Sequence, residues 1–398
     1  MPADGGKNHP RHERVWKKVT VCYVEVCDVF PEMRDHTKDV ARIVRSYDGF
    51  DFVPLRIQDA FSSDWWDPIA GAQSLEQLGV DLTDEELRIT VNTPLRPASS
   101  VEALRTHLGS LPTTTAAASS VQTFIRLLLL HTAVKTGSSH LVLGTSLTSL
   151  AVSLISGVSQ GRGFNIREET QEEWEPDQTP REARESKDST LPRSQKEKHS
   201  VRVVRPLRDI GMKECAIWAW WMNIKVVGQE KWLWSGSKQD IGALTRGEFN
   251  LHYFIFGLEK DYPSTVSTVV RTCTKVAPKG DAAGRCALCA RPVQEGIQEW
   301  KSRISIRTSS HLVSKDAHQL HTPPSLVPFL CYACNATMTS RSTRPMPTLG
   351  PSAVKASIIP LPKWAETRLS EQEIFRTELM SEEQKKNSLE EFLLEDPE

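Results

Sequence analysis

Residues 19–57 read VTVCYVEVCDVFPEMRDHTKDVARIVRSYDGFDFVPLRI and decide the fold class. Val19–Val26 is β-branched and apolar, which is typical of a buried strand. The apolar residues of Asp35–Tyr47 recur at helical spacing, and Gly49 marks the end of that helix. Phe50–Ile57 has the composition of a second strand. A strand, a helix and another strand in this order predict a βαβ unit and therefore a parallel sheet.

Elements of the same kind continue beyond this unit. The sequence predicts strands at His140–Gly144, Val201–Val204 and Ile224–Val227, and helices at Ser119–Lys135, Thr145–Ser156, Gly211–Met222 and Tyr262–Val276. From these patterns we expect a disordered N-terminus at 1–18, an α/β domain at 19–279 with a disordered charged insertion at 166–200, a cysteine module at 280–345, and a tail with an acidic helix at 346–398.

Composition limits the class of protein. Apolar residues make up 39% of the 398 residues, which is enough for a sizeable core. The formal net charge is −1, so a strong nonspecific affinity for nucleic acid is not expected of the chain alone. No membrane span is expected, because no stretch approaches ~18 uncharged apolar residues. No secretory signal is expected, because the first 18 residues are polar and basic. Eight cysteines without an export signal indicate a reducing compartment, where paired cysteines suggest metal ligands before disulfides.

Two CxxC motifs form the strongest chemical signal. Cys286-Ala-Leu-Cys289 and Cys331-Tyr-Ala-Cys334 are separated by 41 residues. Each motif places two thiolates close enough to share an ion, so the pair predicts one tetrahedral four-cysteine site with zinc as its metal. An iron–sulfur cluster is the alternative, because four thiolates suit it as well. Four protein ligands leave no open position, so we expect a structural metal and not a catalytic one.

The other candidate metal ligands and thiols have simpler interpretations. His311, His318 and His321 lie between the two motifs and are expected to be exposed loop residues. Cys22, Cys27, Cys215 and Cys273 lie in apolar segments and are expected to be buried core residues. Cys215 is the one that could instead carry sulfur, because it follows a loop that could face a substrate.

Three short motifs could hold phosphate. Gly144 and Thr145 follow a predicted strand and precede a helix, whose N-terminus offers unpaired N–H groups, although Thr145 could equally be a plain N-cap. Arg162 lies between two glycines, which predicts an exposed side chain. Arg205 and Arg208 flank Pro206 at the end of a strand, where parallel sheets bind ligands; surface pairing with Asp209 is the alternative for this loop.

Four segments together resemble a known family. They are HLVLGTSLTSLAVSLISGVSQGRGF at 140–164, VVRPLRDIGMKE at 203–214, YPSTVSTVVRTCTKV at 262–276, and the CALC and CYAC pair. In this order they resemble the family of cytoplasmic tRNA 2-thiolation protein 2, within the larger group of PP-loop ATPases. The resemblance implies a parallel-sheet PP-loop ATPase-like (adenine nucleotide alpha hydrolase-like) domain, followed by a four-cysteine metal module.

The resemblance also implies a function. Members of this family pair as a heterodimer with a homologous catalytic subunit in the cytoplasm. The pair ligates sulfur from a thiocarboxylated ubiquitin-related modifier onto the wobble uridine of tRNAs for Lys, Glu and Gln. A role in attaching that modifier to proteins is also linked with the family. The resemblance places the metal on Cys286, Cys289, Cys331 and Cys334, and matches the RPLRD and GRG loops.

The sequence departs from the larger group at its N-terminus. PP-loop enzymes begin with a strand and an SGGxDS-type loop that binds pyrophosphate, and no such sequence precedes Val19. We therefore expect a fold missing its first, central strand, no ATP binding by this chain alone, and a non-catalytic subunit. The alternatives are an active adenylating tRNA sulfurtransferase and a zinc-dependent RNA-binding scaffold.

Overall fold

The computed structural model describes residues 16, 18–30, 33–71, 78–91, 99–175, 201–227, 254–255, 257–278, 282, 284–297, 300, 323–340 and 357–370. The histidines between the CxxC motifs, the predicted N-terminal disorder before Trp16, and the acidic helix beyond Ser370 lie outside these residues.

The first βαβ unit forms as predicted. Strand β1 (Val19–Glu25) pairs in parallel with β2 (Phe50–Arg56), with Val19 opposite Phe50 and Glu25 opposite Arg56. Helix α1 (Thr37–Val44) connects them and packs against both strands. A 3-10 turn at Ile57–Phe61 then leads to α2 (Ser63–Ala70). The α/β class with parallel pairing is therefore confirmed.

A second parallel pair lies further along the chain. Strand β5 (His140–Val142) pairs in parallel with β7 (Arg202–Val204), and the short β6 (Glu173–Trp174) adds antiparallel to β7. In the described residues, β1–β2 and β5–β7–β6 are separate sheets.

A small antiparallel sheet joins distant parts of the chain. Its order is β10 (Ile358–Pro360), β3 (Leu78–Asp81), β4 (Ile89–Val91). Helix α10 (Lys363–Ser370) follows β10, and its Trp364 is fully buried. The prediction of a tail at 346–398 is therefore wrong for residues 357–370, because Ile359, Trp364 and Leu369 belong to the main core.

The helices pack around two hydrophobic cores. The main core holds α3 (Ser100–Ser110), α4 (Thr114–Lys135), α9 (Tyr332–Thr339) and both cysteine motifs. The second holds α5 (Leu147–Ser159) and α8 (Ser264–Val276), where Val266 and Val270 are buried as their spacing predicts. Helix α7 is Met212–Trp221.

Helix α4 has the length and hydropathy of a membrane span, although the sequence analysis expected none. Half of its most apolar window is buried inside the protein. Phe124, Leu127 and Leu128 pack in the main core. Packing of these residues in the main core accounts for the apolar composition of α4.

Two predictions about local structure are wrong. Residues 166–175 are not a disordered insertion: α6 (Ile166–Thr170) is folded, and Glu168 and Glu169 are buried. Their charges are stabilised by arginines from elsewhere in the chain, a pairing that composition does not show. Ile224–Val227 forms no strand, and Ile224 and Val226 are exposed. Residues 176–200 lie outside the described part of the chain.

The four isolated cysteines are less buried than expected. Cys22, Cys27, Cys215 and Cys273 are all partly exposed. Cys27 donates its thiol proton to the carbonyl of Met33 at 3.1 Å, while Cys22 and Cys273 pack at the edges of the two cores.

Candidate metal centre

The four predicted ligands come together. The Sγ atoms of Cys286, Cys289, Cys331 and Cys334 all lie within 4.8 Å of one another, and the Sγ atoms of Cys289 and Cys331 are 3.7 Å apart. A tetrahedral zinc ion with Zn–S bonds of ~2.3 Å requires sulfurs about 3.8 Å apart. A disulfide requires about 2.05 Å, so these are separate thiols placed as a ligand set.

Local backbone structure fixes each pair. In the first motif the amide of Ala290 donates to the carbonyl of Cys286 at 2.9 Å, and Ala290 has a φ of +56°. This left-handed residue turns the chain back, so that Cys286 and Cys289 face the same point. In the second motif Cys331 caps the N-terminus of α9 and Cys334 lies in its first turn, where the helix dipole favours thiolates.

Side chains from α4 and α10 hold the carbonyl groups of the first motif. Arg126 donates to the carbonyl of Cys289 at 3.0 Å, and Arg368 donates to that of Cys286 at 3.0 Å. The indole of Trp364 donates to the carbonyl of Leu288 at 2.9 Å. Buried carbonyls need such partners, and these bonds fix the motif against the α/β body. The sequence analysis missed all three residues.

The four thiols perturb one another strongly. Hydrogen bonds from Cys286, Cys331 and Cys334 lower the pKa of Cys289 well below its ordinary value of 9.0. The pKa values of Cys331 and Cys334 are raised, first because of their hydrogen bonds with Cys286 and Cys289. One thiolate therefore forms readily, whereas several buried thiolates need a cation among them.

A buried cluster of charges borders the cysteines. Arg291 Nη1 lies 2.5 Å from Glu169 Oε1, and Arg126 forms a hydrogen-bonded ion pair with Glu168. Burial opposes the charge on Arg291, but Glu169 and Glu168 raise its pKa. Burial alone would raise the pKa of Glu169, yet Arg291, Arg162 and Arg126 hold it below its ordinary value. Arg291 and Glu169 are therefore both charged at neutral pH.

The charge of this cluster matches the ligand set. Arginines outnumber glutamates here: Arg126 and Arg368 donate to carbonyls of the first cysteine motif, and Arg291 pairs with Glu169. Such surroundings favour the net negative charge of a metal held by four thiolates. The residues present therefore fit a tetrathiolate metal, which would stabilise this part of the fold when bound.

The predicted phosphate site before α5 is partly occupied by the protein itself. Gly144 is exposed and Thr145 half-buried. Ser146, not Thr145, is the N-cap, and it accepts a hydrogen bond from the amide of Ser149 at 3.3 Å. The amide of Leu147 donates to the carbonyl of Ile210 at 2.8 Å.

The three predicted arginines lie in different surroundings. Arg162 is half-buried and not exposed as expected, because its guanidinium donates to the hydroxyl of Ser119. Arg205 is 7% exposed and donates to the carbonyl of Gln171 at 3.1 Å. Arg208 Nε lies 3.7 Å from Asp209, the pairing that the sequence analysis gave as the alternative.

The GRG turn contacts the second cysteine motif. Gly161 has a φ of +83°, and a Cβ atom at this position would overlap the ring of Tyr332. A Cβ atom on Gly163 would meet no other atom within 4 Å. The backbone of the GRG turn therefore packs closely against Tyr332, the residue that follows Cys331. This contact joins the end of α5 to the metal centre.

Comparison with known proteins finds a similarity to one family. A family model described as cytoplasmic tRNA 2-thiolation protein 2 matches residues 251–336, which include α8 and all four clustered cysteines. A curated protein of that name from Xenopus tropicalis is 26% identical over 314 residues, and one from Homo sapiens is 29% identical over 245 residues. The chain is similar to this family over the segment that holds the clustered cysteines, which confirms the resemblance seen in the sequence.

The relatives are longer than the matched region. The alignments cover 67% of this chain and 55% of the Xenopus tropicalis protein, and 58% of this chain and 42% of the Homo sapiens protein. The chain thus spans about half the length of these curated relatives.

A solved structure is also similar to the chain. It is described as the U34-tRNA thiolase NcsA from Methanococcus maripaludis with its [4Fe-4S] cluster, and it is 13% identical with a TM-score of 0.35. The match covers 65% of this chain and 62% of that chain, and a TM-score this low does not establish a common fold.

Proposed function

We propose that the chain is a subunit of the cytoplasmic machinery that adds sulfur to position 2 of the wobble uridine in tRNAs for Lys, Glu and Gln. One observation carries this proposal: the family match covers the segment that builds the metal centre, including all four clustered cysteines. The names of the relatives supply the process, tRNA 2-thiolation, and the compartment, the cytoplasm.

Within this machinery the chain acts beside a homologous catalytic subunit. That partner activates the uridine with ATP, and the sulfur comes from a thiocarboxylated ubiquitin-related modifier. This chain supplies a structural zinc site; an iron–sulfur cluster is the alternative. The zinc assignment is supported by the four-cysteine ligand set, which leaves no open coordination position.

We infer a PP-loop-like sheet from the strand pairing. In the strand order 3-2-1-4-5 of such sheets, the two parallel pairs β2–β1 and β5–β7 correspond to the outer positions on either side. The central position, between β1 and β5, is that of the first strand of PP-loop enzymes. An extended segment there would pair with both edges.

Helix α7 supports the inference of a protein partner. Its Trp220 and Trp221 are 82% and 77% exposed, and Ile217 and Trp218 beside them are also exposed. No residue of this helix is buried in the described structure. Large exposed aromatic residues of this kind are typical of the cores of protein–protein interfaces.

The contribution to tRNA binding is assigned to the loops beside β5 and β7. Gly144, Thr145 and Arg208 remain the proposed phosphate contacts, because each is at least partly accessible. Arg162 and Arg205 remain in the proposal as residues that hold neighbouring segments in place, since Arg162 donates to the hydroxyl of Ser119 and Arg205 to the carbonyl of Gln171.

The amount of 2-thiouridine at the wobble position tests the proposal. Cells lacking the gene are complemented with the wild-type chain or with a Cys286→Ser, Cys331→Ser double variant, and 2-thiouridine is measured by mass spectrometry in the three tRNAs. We expect no 2-thiouridine without the gene, full restoration by the wild type, and little by the double variant. Cys27→Ser is the matched control, because Cys27 lies outside the cysteine cluster and a serine hydroxyl can also donate to the carbonyl of Met33.

Two results would overturn the proposal in favour of the alternatives. Intact 2-thiouridine in the deletion strain, with metal and RNA binding retained by the purified chain, would indicate an RNA-binding scaffold of another pathway. Exchange of pyrophosphate into ATP by the purified chain alone would indicate an active adenylating enzyme.

A further inference from the structure

A cavity of about 370 Å³ lies between the GRG turn and the cysteine module. Its volume is within the range of small-molecule sites. One wall is formed by the end of α5 and by Phe164 and Asn165, and the other by the second cysteine motif and the segment after β9 (Pro292–Val293). Cys331 also lines it, so the cavity adjoins the metal centre directly.

Two aromatic rings border the cavity. Trp300 and Tyr332 pack edge to face, with ring centroids 5.2 Å apart and planes inclined at 73°. Trp300 is 47% exposed, so the aromatic pair can be reached from solvent.

The lining also limits the charge of the ligand. Among the described residues that line the cavity there is no Lys, Arg, Asp or Glu. A phosphate or triphosphate would find no cation here, which argues against an anionic ligand. A flat, uncharged ring fits both the aromatic pair and the uncharged lining.

We propose that this cavity binds one nucleobase of single-stranded RNA, stacked against the Trp300–Tyr332 pair. Unpaired loop bases are recognised in this way, by stacking on aromatic side chains and by hydrogen bonds to their edges. The inference rests on the proposed function, because the tRNA of the thiolation reaction supplies such a loop.

The probe is a fluorescein-labelled, unmodified anticodon stem–loop RNA of a lysine tRNA, bound to the full-length metal-loaded chain together with the partner that co-purifies with it. Fluorescence anisotropy gives the affinity. We expect Trp300→Ala to weaken binding roughly tenfold, the effect of losing one stacked base. Trp300→Phe should restore most of the affinity. Trp16→Ala is the matched control, because Trp16 is 45% exposed and does not line the cavity.

Abasic RNAs identify the stacked base. A set of stem–loops, each lacking one loop base, is measured with the wild type and with Trp300→Ala. At one position the missing base should weaken wild-type binding by the same factor as Trp300→Ala, and the two changes together should cause no further loss.

Failure of the proposed function and failure of the cavity assignment give different results. If the wild type binds no stem–loop, the proposed function falls together with this site. If the wild type binds and Trp300→Ala binds equally well, only the cavity assignment is overturned. A variant that binds normally but melts at a lower temperature would show that the chain's own residues fill the cavity, which also overturns the assignment.

Discussion

Arg291 and Glu169 form a buried ion pair that joins the cysteine module to the α/β body, with Arg291 Nη1 2.5 Å from Glu169 Oε1. Because removing one partner leaves a buried charge uncompensated, Arg291→Met should lower the free energy of unfolding by about 3–5 kcal/mol. Urea unfolding measures this. Replacing both partners, Arg291→Met with Glu169→Gln, should cost less than the single change.

The matched control for this pair is Arg167→Met on the exposed side of α6, which should change stability by no more than about 0.5 kcal/mol. Equal losses of unfolding free energy in Arg291→Met and Arg167→Met would contradict a special role for the ion pair of Arg291 and Glu169.

The contact between Gly161 and Tyr332 predicts a difference between two glycines. Gly161→Ala requires a left-handed backbone at an L-residue and pushes its Cβ into the Tyr332 ring, so it should destabilise the protein by about 1–3 kcal/mol. Gly163→Ala meets open space and should be nearly neutral. Thermal unfolding compares the two variants, and equal melting temperatures would contradict the packing described for the turn.

His107 predicts a pH dependence of stability. It is buried, its Nδ1 lies 2.8 Å from the carbonyl of Pro360, and burial lowers its pKa to about 4 from 6.5. A base with a lowered folded pKa stabilises the protein above pH 6.5, and this stability is lost as the pH falls towards about 4. The loss amounts to about 3 kcal/mol.

The measurement is the difference in unfolding free energy between the wild type and His107→Gln at pH 7 and at pH 4. The difference cancels the opposite contribution of Glu366, whose pKa burial raises to about 7, so that its stabilisation is present below 4.5 and lost as the pH rises to about 7. We expect the variant to lose less stability at acid pH. Parallel curves would contradict a neutral buried His107.

The exposed tryptophans of α7 predict a partner surface. The change Trp220→Ala with Trp221→Ala should leave the melting temperature of the isolated chain unchanged, because both side chains are mostly exposed. It should abolish co-purification of the partner subunit, since aromatic anchors dominate interface energies. Trp16→Ala is the control. Retention of the partner by the double variant would remove α7 from the interface.

The sequence predicts some parts of this structure well. The βαβ unit at Val19–Arg56 follows from local periodicity, and the ligand set follows from the CxxC spacing, which brings each pair together whatever the rest of the fold does. Both signals are local, so neither depends on knowing which distant segments meet.

The surroundings of the centre could not be predicted in the same way. Arg126 reaches the carbonyl of Cys289 across 163 residues of sequence, and Trp364 reaches that of Leu288 across 76. Glu168 and Glu169 lie in a polar segment whose composition predicts disorder, yet they are buried because arginines from other elements pair with them. Such pairings depend on tertiary contacts that no local pattern records.

The metal content of the purified full-length chain tests the central claim most directly. Elemental analysis should find about one zinc per chain, or iron with sulfide if a cluster is present, and the Cys286→Ser, Cys331→Ser double variant should lose it. Wild-type protein that is folded and holds neither zinc nor iron would contradict the assignment of the four cysteines as a metal centre.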